Sequence, residues 1–274
     1  MQYTGNGMII NETYELLKGN EKLQIDRLVL SEVRVGLLLT AVRLSDGSSG
    51  VASTMPDSKI HCAKENRDYG DFTPSKIRGQ KVTDLFETKK KSNIIDSLRI
   101  AVLNALSSRI ISESGYRIIE DTDPVDLIQP DTHSTITIVG GFHNYIRKIS
   151  KSAGKLHVLE LDPDVLAQDH MRYYVPAADF KKILPGSDII IITGYTLVNN
   201  TIDGLLSAIP PNAQVIVTGP SSSIIPDMLF KYGVSIIGAT RITNPDYLFT
   251  LVEEGGAGYH LFQYCAQKIC VLND

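Results

Sequence analysis

Small and polar residues follow several short apolar segments in the second half of the chain, at the point where each segment ends. Glycine at such a position lets a ligand approach the backbone closely, and free amides at the start of the next helix bind anions. Carboxylate, amide and hydroxyl side chains there would hydrogen-bond ligand hydroxyls or a cation. We therefore predict one ligand-binding cleft bordered by Gly141, His143, Glu160, Asp162, Thr193, Gly194, Asn199, Thr201, Gly219 and Ser221.

His143 and Glu160 are the candidates for catalysis, because burial in a closed cleft would tune either group for proton transfer near neutral pH. His143 is also a candidate metal ligand, although a histidine at a helix start is more often a hydrogen-bonding surface residue. Glu160 follows Gly140-Gly141 by about 20 residues, where dinucleotide-binding proteins place a ribose-binding carboxylate. The glycine-rich dinucleotide motif itself is missing, since Phe142 and Tyr145 occupy two of its positions. The sequence therefore assigns no cofactor.

Several of these residues also have purely structural explanations. Helix capping would account for one residue of Asn199-Asn200-Thr201, and Ser221 lies in a serine run that could cap a helix ahead of Pro226. No pairing of the three cysteines with the six histidines has the spacing of a zinc site, so we predict no resident metal.

The apolar segments predict a mostly parallel sheet. Residues 135–139, 156–161, 188–193, 213–218 and 234–237 are nearly continuous apolar runs, as strands covered on both faces require. Helical segments separate them at about 143–152, 177–184, 200–208, 225–232 and 245–254, which predicts a doubly wound, Rossmann-like α/β fold. Residues 268–272 form a closing strand without an assigned partner. Because parallel strands end at one edge, that edge would gather the candidate residues.

The first part of the chain has a different pattern. A helix over residues 8–30 is expected to break near Gly19-Asn20, and a hairpin follows with strands at 33–42 and 51–54. After an irregular stretch over 56–80, we predict a short helix from Val82 and a long one that begins at Ser92. Asp-Pro pairs within residues 120–131 then mark a linker. We predict an α+β domain over 1–125 and the α/β domain over 126–274.

The composition of the chain limits the kinds of molecule that it is expected to bind. The chain has 274 residues and a net charge of −4, which provides no attraction for nucleic acid or an anionic membrane. The polar N-terminus, the absence of an apolar run of about 20 residues and the odd cysteine count predict a cytoplasmic protein. The expected partner is a small molecule, and a homo-oligomer is left open.

Several motifs carry a family resemblance. These are 184–188 (LPGSD), 193–201 (TGYTLVNNT), 219–222 (GPSS), Gly238 and 244–246 (NPD). Together they resemble the heavy-metal-chelation family over most of residues 132–272. The resemblance implies that a domain similar to the enolase N-terminal fold precedes a Rossmann-like domain, with a cleft between the two.

Three hypotheses for function follow. The first is an enzyme that acts on a small molecule in the interdomain cleft, for instance in making or modifying a metal-chelating compound. The second is a non-catalytic binding protein for a metal complex or a nucleotide-like ligand. The third is a structural or regulatory module that keeps a Rossmann scaffold. The sequence does not decide whether the chain is an enzyme.

Overall fold

The computed structural model of the chain describes residues 7–56 and 69–273. Cys62, one of the thiols weighed as a metal ligand, lies outside the described residues, as does part of the irregular stretch over 56–80. Among the described residues, no helix is long and apolar enough to cross a membrane.

The α-helices described in the first part of the chain are α1 (Met8–Lys18), α2 (Val82–Glu87) and α3 (Asn93–Glu113). The predicted break is confirmed, since α1 ends at Lys18 with Gly19 as its C-cap. The helix expected after the break, up to residue 30, is wrong, because only a 3₁₀ turn over Ile25–Arg27 forms there before β1 begins at Leu30. The predicted start of the long helix is also confirmed, because the Ser92 side chain accepts a hydrogen bond from the Ile95 amide at 3.1 Å. Residues on nearly every face of α3 are buried. The reason is that α3 lies between two sheets and packs against both.

A three-stranded antiparallel sheet covers one side of α3. Its strands are β1 (Leu30–Val35), β2 (Leu39–Leu44) and β3 (Ser49–Ser53), in that order. The prediction of a single strand over 33–42 is wrong, because the chain turns between β1 and β2. Leu37 and Leu38 lie in that turn and are exposed. Their apolar side chains made the sequence pattern of the turn resemble that of a buried strand.

An eight-stranded sheet lies on the other side of α3. Its strands are β4 (Arg117–Glu120), β5 (Thr135–Val139), β6 (Lys155–Glu160), β7 (Tyr174–Pro176), β8 (Ile189–Thr193), β9 (Gln214–Thr218), β10 (Ile236–Ile242) and β11 (Ala266–Leu272). Their spatial order is β4-β11-β10-β9-β8-β5-β6-β7. The six strands from β10 to β7 are parallel and follow the Rossmann order. Successive strands are added toward one edge of the sheet from β5 to β7 and toward the other edge from β8 to β10, so the strand order reverses between β5 and β8. The predicted fold class is therefore confirmed.

Two antiparallel strands extend this sheet. The closing strand β11 pairs with β10 on one side and with β4 on the other. Although β4 lies inside the predicted N-terminal range of 1–125, it joins the large sheet, whereas β1 to β3 form a sheet of their own.

Helices cover both faces of the large sheet. The helices of this part of the chain are α4 (His143–Ile149), α5 (Phe180–Ile183), α6 (Tyr195–Val198), α7 (Ile202–Leu206), α8 (Pro226–Lys231), α9 (Pro245–Glu253) and α10 (Gly258–Tyr264). Of these, α9 packs against β1 and β2 of the small sheet. Alternate residues of β8 point to opposite faces: Ile190 belongs to the core shared with α3, and Ile191 to the core under α4. The isoleucine run of β8 is thus buried on both sides, as a central parallel strand requires.

Candidate functional site

A cavity of about 640 Å³ opens beside the carboxyl edge of the large sheet. Its walls come from the segment after β4, the β5–α4 turn, the end of β9, the interior of β10, helix α10 and strand β11. The lining residues are Thr122, Asp123, Pro124, Phe142, His143, Asn144, Tyr145, Thr218, Gly219, Pro220, Gly238, Ala239, Gly258, Tyr259, Phe262, Gln263, Lys268 and Ile269. All of them lie between residues 122 and 269, so the cavity belongs to the Rossmann-like part of the chain.

One carboxylate organises the polar side of the cavity. Asp123 Oδ1 accepts a hydrogen bond from the Tyr145 hydroxyl, and Asp123 Oδ2 accepts one from Lys268 Nζ at 2.7 Å. Burial, together with the hydrogen bond to the Asp123 carboxylate, raises the pKa of Tyr145. Tyr145 therefore remains a neutral hydrogen-bond donor. The network can fix a polar group of a ligand between an ammonium and a phenol.

Aromatic side chains form much of the remaining wall. The rings of Phe142 and Tyr145 stack with their centroids 5.0 Å apart. On α10, Phe262 lies under the Lys268 ammonium, at 5.3 Å from the ring centroid, and Tyr259 of the same helix is 74% exposed. Such surfaces stack on planar rings of a ligand.

Two histidines meet next to this wall. Nδ1 of His143, which lines the cavity, lies 3.2 Å from Nδ1 of His170. Because the two nitrogens face each other, one ring donates a proton to the contact and the other accepts it. Only 6% of the His170 side chain is exposed, and its Nε2 is 3.8 Å from the carboxylate of Asp169.

Of the residues predicted to border the cleft, His143 and Gly219 line the cavity. Gly219 has φ of +129°, a conformation that favours glycine, and its amide donates to the Gly238 carbonyl at 3.3 Å. It thus shapes the cavity floor directly after β9, where the pairing of β9 with β10 stops. The others lie elsewhere along the same edge or outside it.

Four predicted residues gather where the strand order reverses, and their polar groups are engaged within the protein. The Gly194 amide donates to the Thr218 carbonyl at 2.7 Å, so the prediction that this amide binds an anion is wrong. Glu160 Oε1 accepts from the Leu161 amide at 2.6 Å and so stabilises its own turn. Thr193 Oγ1 accepts from the Tyr195 amide at 3.3 Å.

Gly141, the fourth, is covered by a neighbouring loop. A Cβ placed on Gly141 would lie 2.9 Å from Val165 Cγ1 and 3.6 Å from Glu160 Oε2. The Val165 side chain therefore occupies the space over the β5–α4 turn that a dinucleotide phosphate uses in Rossmann proteins. This arrangement disfavours a nucleotide-like ligand at that position.

Asp162, Asn199 and Thr201 make local hydrogen bonds instead of lining the cavity. Asp162 caps the 3₁₀ turn that follows it, accepting from the Asp164 amide at 3.0 Å. Asn199 Oδ1 accepts from the Thr201 amide at 3.2 Å and from the Thr201 hydroxyl at 2.7 Å. The neighbouring Asn200 side chain accepts from the Gly7 amide at 3.2 Å, directly before α1. Structural capping thus explains this segment.

Ser221 connects the segment after β9 to the end of β3 through a hydrogen bond. It is fully buried, and its Oγ accepts from the Ser53 amide at 2.8 Å. Nearby, Asn104 Nδ2 donates to the Pro220 carbonyl at 3.2 Å, and Ser107 Oγ accepts from the Ile225 amide at 2.8 Å. A space of only about 30 Å³ lies between α3, β3 and β10. An interdomain cleft was expected from the family resemblance, whereas the space at this point of the junction holds at most a water or two. A wider space of about 470 Å³ lies at another point of the junction, between α1, the end of α3 and the start of α8.

Two thiols lie near the cavity, in Cys265 and Cys270, and both are buried. Burial raises the pKa of Cys265 to about 11 and, together with the nearby Asp123 charge, that of Cys270 to about 12. Both thiols therefore stay protonated at neutral pH. Within residues 7–56 and 69–273, no group of three or more His, Cys, Asp or Glu side chains could hold a metal ion.

We expect neither Cys265 nor Cys270 to react with iodoacetamide in the native protein. A thiol pKa of about 11 or 12 leaves at least about 100-fold less thiolate at neutral pH than an ordinary cysteine has, and burial restricts access further. Mass spectrometry after brief alkylation at pH 7.5 measures this, with alkylation in guanidinium chloride as the control. Rapid native labelling of either peptide would show that the β11 region opens.

Comparison with known proteins places the chain in a family. Two sequence profiles with the description "Putative heavy-metal chelation" match residues 123–271 and residues 20–107. An uncharacterized protein of Methanocaldococcus jannaschii is 26% identical over 152 residues, which cover 55% of this chain and 56% of that protein. The chain therefore spans little more than half the length of this curated relative.

Solved structures share the fold at low sequence identity. A protein of unknown function from Pyrococcus horikoshii is 22% identical with a TM-score of 0.78, over 97% of this chain and 100% of its own. Another from Desulfitobacterium hafniense is 17% identical with a TM-score of 0.72, over 100% of both chains. The profile match over residues 123–271 covers more than half of the 274 residues. The chain therefore belongs to the family described as "Putative heavy-metal chelation".

Proposed function

We propose that this chain binds a small organic molecule with a planar ring in the cavity between Asp123 and Phe262. The observation that carries the proposal is the combination of aromatic walls with a single polar network around about 640 Å³ of space. Small-molecule sites typically enclose about 300–1,000 Å³ and combine mostly apolar walls with a few convergent polar groups. Phe142 and Phe262 supply the apolar surface, and Tyr145 and Lys268 the polar one.

The charges of the network favour an oxygen-rich ligand. The Lys268 ammonium has three donors, one of which goes to Asp123, and its side chain is 41% exposed. The other donors are positioned for a carboxylate, phenolate or carbonyl oxygen. Planar rings that carry such oxygens are common among organic metal chelators, so the family description supports a ligand from metal-chelator metabolism.

Catalysis on the bound molecule is the second candidate function, and His143 favours it. Its imidazole borders the cavity, and its Nδ1 contacts Nδ1 of the buried His170. A proton taken from a ligand by His143 could therefore be balanced by a shift at the neighbouring ring. Glu160, the other candidate, does not line the cavity and bonds its own turn. Binding without turnover remains the alternative.

The test compares two tyrosines of α10. Tyr259 lines the cavity and is 74% exposed, whereas Tyr264 is 51% exposed and lies outside the cavity lining. A library of planar aromatic acids is screened against the wild type by saturation-transfer NMR, and the native protein is searched by mass spectrometry for a co-purifying molecule. We expect Tyr259→Ala to weaken binding of the hits about 5- to 10-fold, the usual worth of one aromatic contact.

Tyr264→Ala should bind the same hits like the wild type, and both variants should melt near the wild-type temperature. If Tyr259→Ala and Phe262→Ala bind as well as Tyr264→Ala does, the ligand site lies elsewhere. If nothing in the library binds and nothing co-purifies, the proposal of a planar ligand fails. Turnover of a confirmed ligand, lost in His143→Ala, would then decide for catalysis.

A further inference from the structure

The facing histidines beside the cavity have a geometry that fits a shared metal ion as well as it fits a hydrogen bond. The ring planes of His143 and His170 differ by 28°, with centroids 5.4 Å apart, and the closest atoms are the two Nδ1 nitrogens at 3.2 Å. Imidazole nitrogens bind zinc at about 2.0–2.1 Å, so two nitrogens 3.2 Å apart would subtend about 100–106° at one ion. That angle is close to the tetrahedral value.

The surroundings of His170 also suit a metal ligand. The ring is nearly fully buried, which restricts its rotation, and Nε2 faces the Asp169 carboxylate at 3.8 Å. In the tautomer with the proton on Nε2, on the side of the ring that faces Asp169, the Nδ1 lone pair can bind a cation. Asp169 itself is 79% exposed, so its charge also attracts a cation from solvent.

His143 gives the pair an open side. This residue starts α4 and lines the cavity, so an ion held by both rings would face the cavity with its remaining positions. Water or an oxygen of a cavity ligand can occupy those positions, as in catalytic metal sites that keep an open coordination position. No third protein ligand is needed for this arrangement, in agreement with the absence of a three-residue cluster from the described part of the chain.

We propose that His143 and His170 form a two-imidazole site for a late divalent transition metal such as Cu²⁺, Ni²⁺ or Zn²⁺. Imidazole prefers these ions to Mg²⁺ and Ca²⁺, which take oxygen ligands. The site is distinct from the Asp123–Tyr145–Lys268 network and goes beyond the proposed binding of an organic molecule. It does not depend on that function, because the metal alone is expected to bind.

Cu²⁺ is the probe, since it binds nitrogen ligands most tightly in the divalent series. Tag-free protein treated with a chelator and then dialysed is titrated with Cu²⁺ and, in parallel, with Mg²⁺. Pulsed electron paramagnetic resonance of the copper-loaded protein should show two imidazoles on one ion. We expect His143→Ala and His170→Gln each to lower Cu²⁺ affinity by at least about tenfold, and Mg²⁺ to show no binding at this site.

His133→Ala is the matched control, since His133 is exposed and hydrogen-bonds through its backbone to Asp131. It should keep the wild-type affinity and the two-imidazole spectrum. His143 is only half-buried, so His143→Ala tests the site even if the His170 variant is unstable. Equal Cu²⁺ affinity in His143→Ala, His133→Ala and wild type would leave only an imidazole–imidazole hydrogen bond and would overturn the proposal. The planar-ligand proposal would be unaffected.

Discussion

Asp123→Ala is expected to abolish most of the ligand affinity of the cavity and to lower the free energy of unfolding by about 1–3 kcal/mol. The carboxylate holds the Tyr145 hydroxyl and the Lys268 ammonium in one place, and its side chain is only 22% exposed. Without it the phenol loses its partner and the ammonium its counter-charge. The loss of stability is smaller than for a fully buried ion pair, because Lys268 is 41% exposed and water screens its charge.

Asp126→Ala provides the control from the same turn. Asp126 also binds a lysine, Lys148, but both side chains are about half exposed. Exposed ion pairs contribute about 0–1 kcal/mol, so this variant should fold and bind ligand nearly as the wild type does. Urea unfolding and titration with a confirmed ligand measure both effects. Asp123→Asn should fall between the two, because an amide oxygen still accepts from Tyr145. If the Asp123 and Asp126 variants behave alike, the network does not hold the ligand.

Much of the Rossmann-like part could be predicted because each of its central strands is a short apolar run that can be recognised without knowing its partners. The isoleucine run of 189–192 and the apolar runs of 135–139 and 214–218 are too short and too β-branched for buried helices. Short elements with mixed polarity gave no such evidence. For this reason β4, β7 and α10 were missed, and the turn between β1 and β2 was hidden by its exposed leucines.

The site could be predicted only as a region. The strand ends pointed to the carboxyl edge of the sheet, and of the candidate residues there His143 and Gly219 line the cavity. Asp123, Lys268 and the helix of Phe262 come to the same place through the antiparallel strands β4 and β11. No sequence pattern assigns the partner of a closing strand, so an Asp-Pro pair was interpreted as a linker. The ends of the strands therefore identify an edge of the sheet. Which part of that edge holds a cavity depends on the long-range pairing of strands such as β4 and β11.

Residues that cap and residues that bind are of the same types, which explains the other errors. Asn199, Asp162 and Ser221 are small and polar because turns and junctions between elements need hydrogen bonds. A polar ligand would be bound by the same hydroxyl, amide and carboxylate groups. Burial separates the two cases, since Ser221 is fully enclosed against Ser53 and has no access to solvent.

Gly50 presents the same ambiguity and leads to the largest effect on stability that we expect. The sequence favours a turn there, but the turn is made by Gly47, with φ of +88°, and Gly50 lies inside β3. A Cβ on Gly50 would overlap the Ala101 carbonyl oxygen and the Ala105 amide nitrogen and lie 3.0 Å from Ala105 Cα. These are backbone atoms of α3, which cannot rotate away as a side chain would. The small sheet therefore approaches α3 as closely as glycine permits.

We accordingly expect Gly50→Ala to lower the free energy of unfolding by about 3 kcal/mol or more, at the upper end of overpacking effects. For a chain of this size that corresponds to a melting temperature about 6–12 °C lower. Gly115→Ala is the control, because a Cβ there meets nothing within 4 Å and its φ is not positive. It should change stability by less than about 1 kcal/mol. Differential scanning calorimetry of both variants measures the difference. Equal melting temperatures would mean that β3 can move away from α3 at little cost, and the Ser53–Ser221 and Asn104–Pro220 hydrogen bonds would then have to give way with it.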